Sequence, residues 1–140
     1  MIVVPYRAEH LEALQLQDGQ AYCAPHLTPD YAKALECQYA FTALVGDQVI
    51  GVGGVAELWA HRALLWSFVD RRAGPYFISV HRATQRFLEM LPYRRIEAEV
   101  DVGFEPGHRW IKALGFELEA PCMRGFRVDG GDSSLYARVK

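Results

Sequence analysis

Between residues 62 and 101 an apolar run, a long amphipathic stretch and a second apolar run follow one another, and this order restricts the fold more than any other feature of the chain. Arg62 to Val69 reads as a strand. Pro75 opens the longest helix, to about Met90, whose buried face is marked by Phe77, Val80, Thr84, Phe87, Leu88 and Leu91 at the 3–4 spacing. Arg95 to Asp101 reads as a second strand. Two strands joined by such a helix are parallel neighbours in one sheet, and the crossover is nearly always right-handed. The chain is therefore expected to be an α/β protein. Its 140 residues, 51% of them hydrophobic, suit a single domain over 1–140.

The flanks extend this core into a mixed sheet. Met1 to Tyr6 reads as a strand and Ala8 to Gln17 as a helix, with Leu11 and Leu14 on one face. A loop containing Pro25 follows. Thr28 is placed to cap a second helix, with Pro29 at its first position, running to about Gln38. Tyr39 to Val45 is a strand that turns at Gly46-Asp47 and returns as Gln48 to Leu58, a hairpin. Gly51, Gly53 and Gly54 lie among apolar residues of the returning strand, so it is expected to be central and covered on both faces. Phe104 to Leu114 reads as a helix, Phe116 to Arg124 as a strand, Gly125 to Ser134 as the loosest segment, and Ser134 to Val139 as the last strand. The order of elements is β-α-α-β-β-β-α-β-α-β-β.

Composition excludes several functions. A net charge of −2 gives no electrostatic ground for binding nucleic acid or an anionic membrane. Arg and Glu interrupt every apolar run before it reaches the length of a membrane span. Met1 to Arg7 lacks a signal-peptide pattern, since its apolar run is too short, and the cysteines read as reduced residues in a cytoplasmic setting. Cys23, Cys37 and Cys122 are odd in number and far apart, suggesting neither a disulfide framework nor a zinc site, and no pair of histidines has metal-ligand spacing. No metal is expected. Trp59, Trp66 and Trp110 are expected to pack.

The stretch Arg109-Trp110-Ile111-Lys112-Ala113-Leu114-Gly115-Phe116-Glu117 is a helix end, a glycine stop and an immediate strand. Gly115 is suited to the positive-φ conformation that ends such a helix, and Phe116, Leu118 and Ala120 then alternate with Glu117 and Glu119. This segment, together with the order of elements, resembles the GCN5-related N-acetyltransferase (GNAT) superfamily over nearly the whole chain. The resemblance implies the acyl-CoA N-acyltransferase fold, acetyl-CoA as acyl donor and an amine as acceptor. It also implies a pyrophosphate site where the helix from Pro75 begins, since free N–H groups and the helix dipole favour an anion there. Val69, Arg71, Arg72, Gly74 and Tyr76 are the cofactor-binding residues it implies. Pro75 withdraws one N–H and Tyr76 stands where the family has Gly or Ala, so Arg71 and Arg72 would supply charge instead. A purely structural turn is the alternative reading. Arg82 and Arg86, one helical turn apart, fit either a 3′-phosphate contact or a solvated face.

In many family members a tyrosine four residues before the Gly-Phe pair serves as general acid. Ile111 stands there and has no proton to give; Phe104 and Glu105 stand where an Asn opens the same helix. Glu97, Glu99 and Asp101 alternate along one strand, opposite Ile96, Ala98 and Val100. Crowded carboxylates raise one another's pKa, which makes Glu97 or Glu99 the candidate catalytic base. The same spacing fits a row of acids paired with arginines. Glu57, His61, His81 and His108 are further candidate bases. Trp66 lies on the strand that lines the acyl channel in the family, where a bulky ring would narrow it. The altered loop, Ile111 and the tryptophans are also similar to divergent GNAT-fold proteins of tailed phages and prophages. That similarity implies a rival to the enzyme: a catalytically degenerate virion-assembly protein of the host cytoplasm or the virion. As partners, a second copy in a homodimer and a phage structural protein both stay open.

Overall fold

The computed structural model describes residues 1–37 and 39–140. Among the described residues, seven strands and four α-helices follow one another in the expected order. The strands are β1 (Ile2–Pro5), β2 (Ala40–Val45), β3 (Gln48–Trp59), β4 (Arg62–Val69), β5 (Arg95–Asp101), β6 (Glu117–Met123) and β7 (Ser133–Val139). The helices are α1 (Ala8–Glu12), α2 (Pro29–Ala34), α3 (Phe77–Met90) and α4 (Glu105–Ala113). The strands form one sheet in the order β1-β2-β3-β4-β5-β7-β6. The chain divides into two compact units. One comprises Met1–Ala56 and Trp66–Glu89; the other comprises Glu57–Leu65 and Met90–Lys140.

In the first unit β1, β2 and β3 are an antiparallel meander. β3 is buried on both faces as far as Val55 and exposed from Ala56 onward, which agrees with its interior place in the sheet. Gly54 is required there by space: a Cβ would lie 2.5 Å from the Tyr39 carbonyl oxygen. The core joins Tyr6, Leu11, Ala32, Val49, Val52 and Phe68, with Trp66 packed against it. The Tyr6 hydroxyl donates to the Ala32 carbonyl at 2.7 Å, and its ring meets that of Trp66 edge-on at 5.5 Å. Each large side chain buried in this way, Phe68 or Leu88 for example, contributes roughly 1.5–3 kcal/mol.

Four sequence expectations are corrected in this unit. The first helix ends at Glu12, not Gln17, because residues 15–17 leave it to pair with the chain just beyond β4, Leu16 standing antiparallel to Asp70. The expected loop after it is a 3-10 helix, Asp18–His26, none of whose residues is buried. α2 starts as expected, with Thr28 Oγ1 accepting from the Tyr31 N–H at 3.2 Å, and stops at Ala34; the expected end at Gln38 lies outside the described residues. Pro75 does not open the long helix directly. It sits in a 3-10 turn, Gly74–Tyr76, from which α3 continues.

In the second unit β5 is the axis. It pairs in parallel with the first half of β4, from Arg62↔Arg95 to Leu65↔Ala98, and antiparallel with β7, which carries β6 on its far side. Tyr93, Ile96, Val100, Ile111, Phe116 and Tyr136 are buried in this unit. Gly115 has φ +90 and closes α4 with two bonds: its own N–H to the Lys112 carbonyl at 3.0 Å, and the Phe116 N–H to the Ile111 carbonyl at 3.2 Å. That pair of bonds is the Schellman arrangement, and buried Ile111 and Phe116 are the two hydrophobic positions that accompany it. β6 departs from expectation. Leu118 is 47% exposed, because β6 is the sheet's edge. Trp59 also departs, 60% exposed at the uncovered end of β3. The segment read as loosest is instead organised by Arg127, which pairs with Asp129 at 2.6 Å and Asp101 at 3.7 Å.

Candidate cofactor loop and acidic row

β4 ends in a buried acid. Asp70 is 1% exposed and accepts four hydrogen bonds: from the Gln15 N–H at 2.9 Å, the Arg72 N–H at 2.8 Å, and Arg72 Nε and Nη2 at 2.7 and 2.8 Å. The bonds from the Arg72 guanidinium, more than the two backbone donors, pull the Asp70 carboxyl down to about 2 against the opposing effect of burial. The guanidinium of Arg72 is therefore committed to shaping the loop. Arg71 points its backbone elsewhere, donating to the Gln15 carbonyl at 2.8 Å, and its side chain lines a groove of about 550 Å³ with Leu11, Leu14, Leu16 and Leu27. Several backbone donors of the loop are already used. Ala73 N–H bonds to Asp70, Tyr76 N–H to Ala73, and Phe77 N–H to Gly74, while Pro75 has none. Gly74 borders open space, since a Cβ there would meet nothing within 4 Å, and Tyr76 is partly exposed. Val69, by contrast, is buried. Arg82 and Arg86 are exposed on α3, and among the described residues neither is in an ion pair.

The backbone of β4 itself is engaged on one edge. Asp70 N–H reaches Ile50 of β3, so residues 67 and 69 turn their polar groups the other way. The registered pairing with β5 ends at Leu65, and the groups beyond it are taken up from the N-terminal segment. Gln20 Nε2 donates to the Ser67 carbonyl at 2.8 Å, and its Oε1 accepts from the Val69 N–H at 3.0 Å and from Gln17 Nε2 at 3.0 Å. Gln17 N–H donates to the Val69 carbonyl at 3.0 Å. On the facing ring, Trp66 Nε1 is buried without a hydrogen-bond partner among the described residues.

The second unit holds the acidic row, and the three acids differ. Glu97 is 5% exposed and is gripped by Arg62, through Nε and by Nη2 at 3.1 Å, and by Arg95 Nε at 2.7 Å. Arg95 also forks onto Glu119, at 2.5 and 3.0 Å. Bonding to Arg62 holds the Glu97 carboxyl below its usual range. Glu99, at the surface of the same strand, has no such partner among the described residues; desolvation by its surroundings, then the charges of Glu97 and Asp101, push its carboxyl up. His108 is committed: Nε2 faces the Asp101 and Val102 carbonyls at 2.9 Å, which only accept, so it carries the proton and Nδ1 accepts from the Tyr136 hydroxyl at 2.7 Å. Glu57 accepts from the Tyr93 hydroxyl at 3.0 Å. Ile111 is buried in the core. Among the described residues, no cluster of His, Cys, Asp and Glu is placed to hold a metal ion, and no helix is long and apolar enough to cross a membrane.

Sequence reasoning named the residues on either side of Asp70 and passed over Asp70 itself. It also passed over Gln15, Gln17 and Gln20. One signal was available: an acid ending the apolar run Ser67-Phe68-Val69, with an arginine two residues on.

No protein-family profile matches the chain, and no curated protein matches it in sequence. Solved structures do. The chain is similar to Ard1 from Thermoplasma volcanium, with a TM-score of 0.79 and 16% identity over 99% of this chain and 96% of that one. It is similar to an acetyltransferase of the GNAT family from Bacillus anthracis, with a TM-score of 0.70 and 14% identity over 98% and 93%. The ribosomal-protein-S5-alanine acetyltransferase from Vibrio fischeri gives a TM-score of 0.69 and 16% identity over 98% and 91%. At these identities the likeness establishes the fold: a mixed α/β domain of the GNAT acyl-CoA N-acyltransferase type.

Proposed function

We propose that this chain is an N-acetyltransferase that takes its acyl group from acetyl-CoA and delivers it to an amine. The observation that carries this reading is the β4 edge from Ser67 to Val69, where a carboxamide, that of Gln20, already sits as a stand-in for an amide ligand. The pantetheine arm of coenzyme A is a linear chain that carries amide groups, and the donors and acceptors of this edge match one such group. The loop that follows begins α3, so its remaining polar groups and the helix dipole favour an anion. Arg71 is the side chain for a phosphate; Arg72 acts through the loop, by holding Asp70; Gly74 leaves room for close approach, and Tyr76 and Val69 flank the site.

Bound acetyl-CoA supplies an activated thioester. The protein's part begins with the acceptor, whose ammonium must lose a proton before nitrogen forms its bond to the carbonyl carbon and the carbon–sulfur bond breaks. Glu99 is the group for that proton, because its raised pKa suits a base and Glu97 is pinned as a carboxylate between two guanidiniums. Ile111 gives the leaving thiolate nothing, so the second proton that nitrogen sheds as the amide forms reaches sulfur through water. Calorimetry with acetyl-CoA tests the reading. Arg71→Ala should weaken binding by roughly tenfold to a hundredfold, the loss of one charge-assisted bond. The reading fails if neither the parent nor the Gln20 variants described below bind at millimolar acetyl-CoA. A virion-assembly role on the same fold would then replace it.

A further inference from the structure

We infer that residues 15–20 are a built-in competitor, a strap that occupies the free edge of β4 until a ligand displaces it, with Gln20 as its latch. The inference rests on the reading that acetyl-CoA binds along that edge. An unpaired strand edge exposes N–H and C=O groups that must be satisfied. Here the Ser67 carbonyl, the Val69 N–H and carbonyl, and the Arg71 N–H are all taken by Gln15, Gln17 and Gln20.

The strap has two parts of unequal strength. Residues 15–17 are anchored: they form a true backbone bridge, and Gln15 N–H is also held by buried Asp70. The latch is weaker. Gln20 presents one N–H and its carbonyl oxygen to this edge, as a peptide unit would, but from a side chain that must be ordered to do so. It sits on a 3-10 helix with no fully buried residue, held to the core only through half-buried side chains such as Cys23, so less packing resists its release than holds residues 15–17. A ligand amide reaching Ser67 and Val69 finds both groups occupied and must replace both bonds. The strap therefore lowers apparent affinity by the fraction of time it is shut, and the protein meets its ligand as a competition within its own chain.

Affinity for coenzyme A, measured by calorimetry on the parent, Gln20→Met and Gln20→Glu, tests the strap. Met keeps the length and removes both bonds; Glu removes the donor to Ser67. Coenzyme A should bind Gln20→Met about fivefold to tenfold more tightly than the parent, the scale of one to two ordinary hydrogen bonds, with Gln20→Glu between them. Binding by the variants alone supports the strap equally. Equal or weaker binding by folded variants overturns it and leaves the acetyl-CoA reading standing, whereas binding by none overturns both. Hydrogen exchange on the parent needs no variant: coenzyme A should speed exchange of the Gln20 amide, which bonds to Gln17, and unchanged exchange on saturation overturns the strap.

Discussion

Asp70 is where the chemistry of single residues is clearest. Its carboxyl titrates near 3.8 in an unfolded chain and at about 2 in the native state. A depressed pKa means that the native state holds the charged form more tightly, so its stabilising contribution is complete above pH 4 and is lost as pH falls through about 2. Because Arg72 is 42% exposed, solvent discounts the contribution to about 1–2 kcal/mol. Urea unfolding between pH 5 and 2 should show this loss, and Asp70→Asn should flatten that slope while lowering stability at neutral pH. Glu97 and Glu99 separate in the same manner. Glu97→Gln should cost about 2 kcal/mol, less than the roughly 3–5 of a fully buried pair, because Arg62 and Arg95 reach solvent. Glu99→Gln should leave melting unchanged or raised, since it removes repulsion from Glu97 and Asp101, yet slow the proposed acetyl transfer about a hundredfold or more. In the parent, that transfer should decline as pH drops through the raised pKa of Glu99. Sequence alone placed these acids on one strand. It could not divide them into a clamped carboxylate and a free one, because the guanidiniums that decide come from Arg62, on another strand, and from Arg95 as it folds back along its own.

At the scale of elements, local signals were reliable where local chemistry decides. Thr28-Pro29 starts a helix and Gly115 stops one, and both act within a few residues of themselves. Gly115→Val places a β-branched residue at φ +90 and should destabilise the protein by about 1–2 kcal/mol, read from thermal or urea melts. Unchanged stability would mean that the Schellman bonds carry no weight. Where tertiary pairing decides, the sequence misled. Ala8 to Gln17 has helical periodicity, but the β4 edge recruits residues 15–17 and the helix stops at Glu12. Phe116 to Ala120 alternates like a half-buried strand, yet its place at the sheet edge leaves Leu118 in solvent. The strap was illegible for a related reason: three glutamines carry no hydrophobic period, and their meaning depends on backbone groups some fifty residues away.

Across the whole molecule, the strand–helix–strand crossover at residues 62–101 was legible because the parallel pairing of its strands follows from geometry common to all such units. The place of β7 between β5 and β6 was not legible, because no local signal marks which strand pairs with β5 on that side. No composition shift or linker marks the points within β3 and β4 where the chain passes from one compact unit to the other. That interleaving has a consequence for the nascent chain on the ribosome. When β4 emerges, its first half has no parallel partner until residues 95–98 have been made, a wait of roughly several seconds at ordinary elongation rates. Its second half waits for nothing, because residues 15–20 left the tunnel earlier and lie ready to cover Ser67 to Arg71. Residues 15–20 are thus available to satisfy this part of their own strand while the rest is being translated.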